Sequence, residues 1–99
     1  MQNMEIQSNR LSILINHNQY YISDVVQIKD RLFLMLKTNI DLKTNVICVN
    51  KKFELLHVFN EIEAFSIATI DNKFSIYFEG YNFYFDPETF EKLGYKYVK

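Results

Sequence analysis

Along this chain apolar side chains alternate with polar ones or gather in short blocks, and each block ends at Asp, Asn, Gly, Pro or a pair of charges. A repeat of two is what a half-buried strand requires, because successive side chains leave opposite faces of the pleat. The pattern predicts strands over 11–15, 21–28, 32–37, 46–50, 53–59, 65–70, 74–79, 82–86 and 90–98, with 4–7 a further candidate. Turns are expected at Lys29-Asp30, Lys51-Lys52, Asp71-Asn72, Gly80 and Asp86-Pro87-Glu88-Thr89. Asp and Asn tolerate left-handed backbone, and Pro87 presets φ in a turn while offering no ladder donor. The polar stretch 38–44 reads as a longer hairpin loop. Within 53–65, Phe53, Leu56, Phe59 and Ile62 also fit a short helix, but strand–loop–strand suits the turn spacing better.

The chain resembles itself. Residues 25–37 (VVQIKDRLFLMLK) align with 67–79 (IATIDNKFSIYFE), and 46–50 (VICVN) with 82–86 (NFYFD). Each copy runs strand, charged turn, strand, connection, strand, then a turn into a fourth strand that starts at Phe53 or Phe90. The expected fold is therefore all-β. It has two four-stranded antiparallel, blade-like sheets, over about 20–59 and 64–98, plus an extra N-terminal strand, in one domain spanning 1–99. A four-stranded repeat of this length has the size of a propeller blade. Two blades cannot close a ring, so a half-propeller or a face-to-face sandwich is expected.

Composition strengthens the β reading. Tyr occurs seven times and Phe nine, and the only alanines are Ala64 and Ala68, so the strongest helix former is scarce. No apolar run is long enough for a membrane helix, and the first ten residues carry no signal-like apolar core, so a cytoplasmic location is expected. The lone cysteine, Cys48, fits a reducing compartment. The net charge of −1 argues against non-specific nucleic-acid binding. The mean conceals an asymmetry. Six bases face two acids between Lys29 and Lys52, whereas Glu61, Glu63, Asp71, Glu79, Asp86, Glu88 and Glu91 face Lys73 alone. The acidic half reads either as a solvated face or as a patch for a basic partner.

Candidate chemistry is thin. His17 falls in a polar turn and His57 on a strand; with Cys48 they make no recognisable zinc set, so no metal and no cofactor are expected. Cys48 reads as a small packed residue between Ile47 and Val49. Ser23-Asp24 lacks the glycines of a nucleophile elbow, and no glycine-rich phosphate loop exists. Glu61 and Glu63 share a face of an extended chain, but a general acid needs an enclosing pocket to raise its pKa. The aromatics Tyr77, Phe78, Tyr81, Phe83, Tyr84, Phe85 and Tyr95 are dense, and those of 82–86 occupy both sides of one strand. Phe83 and Phe85 are expected on the core side and Tyr84 on the other, which predicts that both sides are covered or that one is a contact surface.

These strands and turns resemble a pattern found in many small bacterial proteins: strand, Asp/Asn turn, strand, loop, a segment like Asn-Val-Ile-Cys-Val-Asn at 45–50, and a further strand at 53–59. A second unit follows with Gly-Tyr-x-Phe-x-Asp-Pro-Glu-Thr, here 80–89. The resemblance covers about 20–99. Two positions depart from it: His57-Val58-Phe59 stands where Trp is usual, and Phe90 where Gly is usual. The second departure predicts that the left-handed position lies elsewhere or that the turn is of another class. Similar half-propeller-like proteins include immunity proteins of contact-dependent growth inhibition and related polymorphic toxin systems. The resemblance implies a non-catalytic role: binding and neutralising a cognate toxin, a nuclease with a basic substrate surface. The expected contacts are Glu61, Glu63, Asp71, Glu79, Tyr81, Tyr84, Asp86, Glu88 and Glu91, with no direct nucleic-acid or membrane partner. The alternative is an interaction module that self-associates through open sheet edges, as a homodimer when free.

Overall fold

The structure, a computed structural model, describes residues 3–7, 10–15, 18–37, 44–59 and 63–98. The described residues form ten strands and no helix: β1 (Asn3–Gln7), β2 (Arg10–Ile15), β3 (Asn18–Ile28), β4 (Arg31–Lys37), β5 (Thr44–Asn50), β6 (Leu55–Phe59), β7 (Ser66–Ile70), β8 (Lys73–Phe78), β9 (Tyr81–Phe85) and β10 (Lys92–Tyr97). Within each sheet the strands pair antiparallel in sequence order, β1 to β6 in a six-stranded sheet and β7 to β10 in a four-stranded one, with no pairing between β6 and β7 among the described residues. The fold is all-β, as expected. The N-terminal addition is two strands rather than one, so the first unit of four (β3–β6) carries a hairpin at its edge. The helical option over 53–65 is not taken among the described residues, where β6 runs from Leu55 to Phe59. His17, Glu61 and most of the expected 38–44 loop lie outside the described residues.

Side-chain chemistry explains the turns. Ile28 pairs with Arg31, Ile70 with Lys73 and Phe78 with Tyr81, which leaves two-residue loops. Asp71 and Asn72 both take positive φ, as do Glu79 and Gly80, and this left-handed pair matches the twist of the flanking strands. Gly80 has a second reason to lack a side chain: a Cβ there would sit 3.2 Å from Cε1 of Tyr97. The two longer turns share one device. Asn50 Oδ1 accepts from the backbone N–H of Lys52 and Glu54, and Asp86 Oδ1 accepts from those of Glu88 and Thr89. Each turn then ends on a left-handed phenylalanine, Phe53 at φ 60° and Phe90 at φ 66°. The left-handed position does not move elsewhere, as the missing glycine led us to expect: Phe90 itself holds it, and its N–H donates to Asp86 O at 2.9 Å.

The sheets meet at one core. Phe33 and Phe74, both fully buried, stack with centroids 4.1 Å apart; Phe59 fills the side of this pair, 5.3 Å from Phe74 and 5.0 Å from Phe85. Phe59, on the strand whose packing the sequence left open, is thus a central member of this core.

The internal repeat shows how the faces match. Phe33, Met35, Val46 and Cys48 join the core shared with the second sheet. Their aligned counterparts Ser75, Tyr77, Asn82 and Tyr84 lie on the opposite side of β8 and β9 from the core residues Phe74, Ile76 and Phe85. Conversely, Leu34 and Val49 belong to a separate cluster behind the first sheet, while their counterparts Ile76 and Phe85 sit in the shared core. The front of one unit therefore packs on the back of the next, which is how consecutive propeller blades stack. The first unit is closed on both sides: Leu34, Leu36, Ile47 and Val49 are no more than 3% exposed.

Candidate binding surface

In an antiparallel meander successive turns alternate between the two ends of the sheet. The β7–β8 turn at Asp71-Asn72 and the β9–β10 loop over 86–91 therefore share one end of the second sheet, and the Glu79-Gly80 turn and the lead-in to β7 share the other. Asp71, Asp86, Glu88 and Glu91 stand at the first end, Glu63 and Glu79 at the second. The acids close in sequence are thus divided in space.

The first end is also where the first sheet brings its bases. Arg31 Nη1 donates to the carbonyls of Pro87 and Glu88 at 2.9 and 2.6 Å, and its guanidinium lies 5.0 Å from the Phe90 ring centre. The His57 ring stacks on the same Phe90 ring, 4.7 Å away at an interplanar angle of 6°. Lys29 pairs with Glu88 at 3.5 Å across an exposed contact. This junction ties the β9–β10 loop to the β3–β4 turn and mixes both signs of charge. A shallow pocket of about 290 Å³ opens beside it, lined by Ile28, Lys29, Asp30, Arg31, Pro87 and Glu88. The Asp86 carboxyl is held below the usual carboxylate range by the backbone N–H groups of Thr89 and Glu88.

The second end has a different character. Directly paired residues of an antiparallel sheet point to the same side, so Tyr97 opposite Tyr81 and Tyr95 opposite Phe83 share the core-facing side of the sheet. The first sheet covers Phe74, Ile76 and Phe85 but leaves this corner open. Tyr95 is 65% exposed, Tyr97 61% and Tyr81 37%. Tyr81 sits at the centre, its ring 5.2 Å from Tyr97, 5.7 Å from Tyr95 and 6.2 Å from Phe83. At the other edge Phe65, 59% exposed, contacts Phe78 at 4.9 Å. Phe65 just before β7, Phe78 on β8, Tyr81 on β9 and Tyr97 on β10 thus stand toward the end that carries Glu63 and Glu79.

Of the two tyrosines expected as contacts, Tyr81 is in this corner. Tyr84 is on the opposite side of β9, half-buried, with the Lys73 ammonium 5.9 Å from its ring centre. Phe65 and Tyr97 were missed by the sequence reading. The signal available was the Tyr-x-Tyr alternation at 95–97, which places two rings on one side of the last strand.

Cys48 is buried, and loss of solvation pushes its thiol up to about 11, so it stays protonated at neutral pH. Among the described residues no cluster of His, Cys, Asp or Glu is arranged to hold a metal ion, and no helix is long and apolar enough to cross a membrane. No family model, curated protein or solved structure matches this chain.

Proposed function

We propose that the chain is a protein-binding module of the immunity type, which acts in the cytoplasm by associating one-to-one with a cognate bacterial toxin, a nuclease, and blocking its basic substrate surface. The observation that carries this reading is the open aromatic corner of the second sheet, where Phe65, Phe78, Tyr81, Tyr95 and Tyr97 lie beside Glu63 and Glu79. Half-exposed tyrosines backed by a packed core make low-entropy anchors, and a few such residues supply most of the energy of a typical interface. Carboxylates at the margin complement the lysines and arginines with which a nuclease holds phosphate. Asp71, Asp86, Glu88 and Glu91 lie at the far end beside Lys29 and Arg31, so they contribute to long-range steering rather than to the same contact.

The test is calorimetric titration with the toxin encoded beside this gene. Binding is expected, weakened about tenfold or more by Tyr81→Ala, with Glu63→Lys and Glu79→Lys slowing association and flattening its salt dependence. A toxin that this chain neither binds nor inhibits ends the proposal. The self-association alternative gains from one specific observation, the free edge of β10. Ring closure by a second copy gains nothing, because the face behind the first sheet that would receive the next blade is already buried.

A further inference from the structure

The second sheet ends at β10, whose outer edge pairs with no strand among the described residues. The register tells which backbone groups that edge offers. Val98 N–H donates to Gly80 O at 2.7 Å, so the pair 98/80 exchanges hydrogen bonds, and by alternation so do 96/82 and 94/84. The pairs Tyr95/Phe83 and Tyr97/Tyr81 are then the non-bonded ones. The N–H and C=O groups of Tyr95 and Tyr97 consequently point away from β9, to the open edge. The same two residues carry the most exposed rings of the aromatic corner. An unpaired edge flanked by exposed aromatics is open to pairing, while Lys96 and the bulge between Lys92 and Gly94 restrict which strand and register can add to it.

We propose that this edge pairs with the same edge of a second copy, antiparallel about a two-fold axis at Tyr95, joining two four-stranded sheets into one of eight strands. Three features of the strand select that occupant and register. Outward-facing groups must meet outward-facing groups, which admits registers that set Tyr95 against the copy's Tyr95 or its Tyr97, whereas Tyr97 against Tyr97 would carry Tyr95 past the end of the copy's β10. The second of these places Lys96 directly opposite the copy's Lys96, a like-charge pair. The first places Lys96 opposite the copy's Gly94, so no like charges face each other within the regular part of the edge. The bulge between Lys92 and Gly94 ends the regular edge, so the contact is short. A patch of this size belongs with weak, exchanging complexes, and the expected dissociation constant is on the order of tens of micromolar.

Sedimentation equilibrium of the free full chain, from about 5 to 500 μM, should show a reversible monomer–dimer transition. Two substitutions address separate parts of the contact. Tyr95→Pro removes an N–H that points to the open edge and leaves the ladder to β9 intact, while Tyr95→Lys sets two charges on the axis. Each should shift the dissociation constant upward at least about tenfold, whereas Asp71→Lys at the far end should leave it unchanged. Circular dichroism reports whether each variant keeps its strands. Amide exchange at Tyr95 and Tyr97 of the unaltered chain should slow as concentration rises. A strict monomer across the range, or a dimer indifferent to both substitutions with exchange at these amides independent of concentration, overturns the proposal. No toxin enters this experiment, so its outcome is separate from that of the immunity reading.

Discussion

Phe90 stores backbone strain that its ring repays, and the two can be separated by substitution. A non-glycine residue at φ 66° is held in the left-handed region, which costs an L-residue about 1–2 kcal/mol. The ring is half-buried and meets His57 at 4.7 Å, Phe59 at 6.0 Å, Phe33 at 6.4 Å and the Arg31 guanidinium at 5.0 Å. Removing a fully buried Phe ring costs ~3–5 kcal/mol, so a half-buried one costs about 2, and the cation–π contact adds about 0.5. Phe90→Ala loses the ring and keeps the strain, for a net destabilisation of about 2–3 kcal/mol. Phe90→Gly loses the same ring but relieves the strain, recovering about 1 kcal/mol. The glycine variant should therefore be the more stable of the two, by roughly 4–8 °C in Tm for a domain of this size. Urea unfolding followed by far-ultraviolet circular dichroism gives both values, with an unchanged m showing that the unfolded reference has not moved. If Ala proves as stable as Gly or more so, the left-handed assignment at Phe90 is wrong.

Two further outcomes follow from titratable groups. The Cys48 thiol, raised to about 11 by burial, should resist a thiol-specific chromogenic reagent at pH 8 in the native chain and react at once in denaturant, as followed by absorbance; fast native reaction refutes its placement in the core. Asp86 is depressed in the folded state by the N–H groups of Thr89 and Glu88. Its carboxylate therefore stabilises the fold above the unfolded value near ~4, and that contribution fades as pH falls through the lower folded value. Asp86→Asn keeps the accepting oxygen but cannot titrate, so its stability measured against pH should have a flatter acid limb than that of the unaltered chain.

Much of the fold was legible because the strand signal is local. Period-two patterning located the strands, and Asp71-Asn72, Lys29-Asp30 and Asp86-Pro87 located turns, since a short loop must use residues that tolerate its dihedrals. The core side of β9 was also readable, with Phe83 and Phe85 on one side and Tyr84 on the other. The acidic surface was read less well. Counting carboxylates between Glu61 and Glu91 treats the sequence as a line, whereas a meander sends alternate turns to opposite ends. That separation follows from the hairpins themselves, which the turn residues already define.

What the sequence by itself determined is the set of elements and their order, because alternation, turn chemistry and the internal repeat act over a few residues at a time. Tertiary structure alone decided which of two apolar faces of each unit meets the other, and where the cover stops. Tyr81, Tyr95 and Phe83 share one side of the sheet and similar chemistry, yet only Phe83 packs against the core. The physical reason is reach: burial depends on the extent of the opposing sheet, a distance across the molecule that no local pattern encodes. Phe90 shows the same limit from the other direction, since only its contacts with His57, Phe59 and Arg31 make a left-handed phenylalanine tolerable where a short loop would choose glycine.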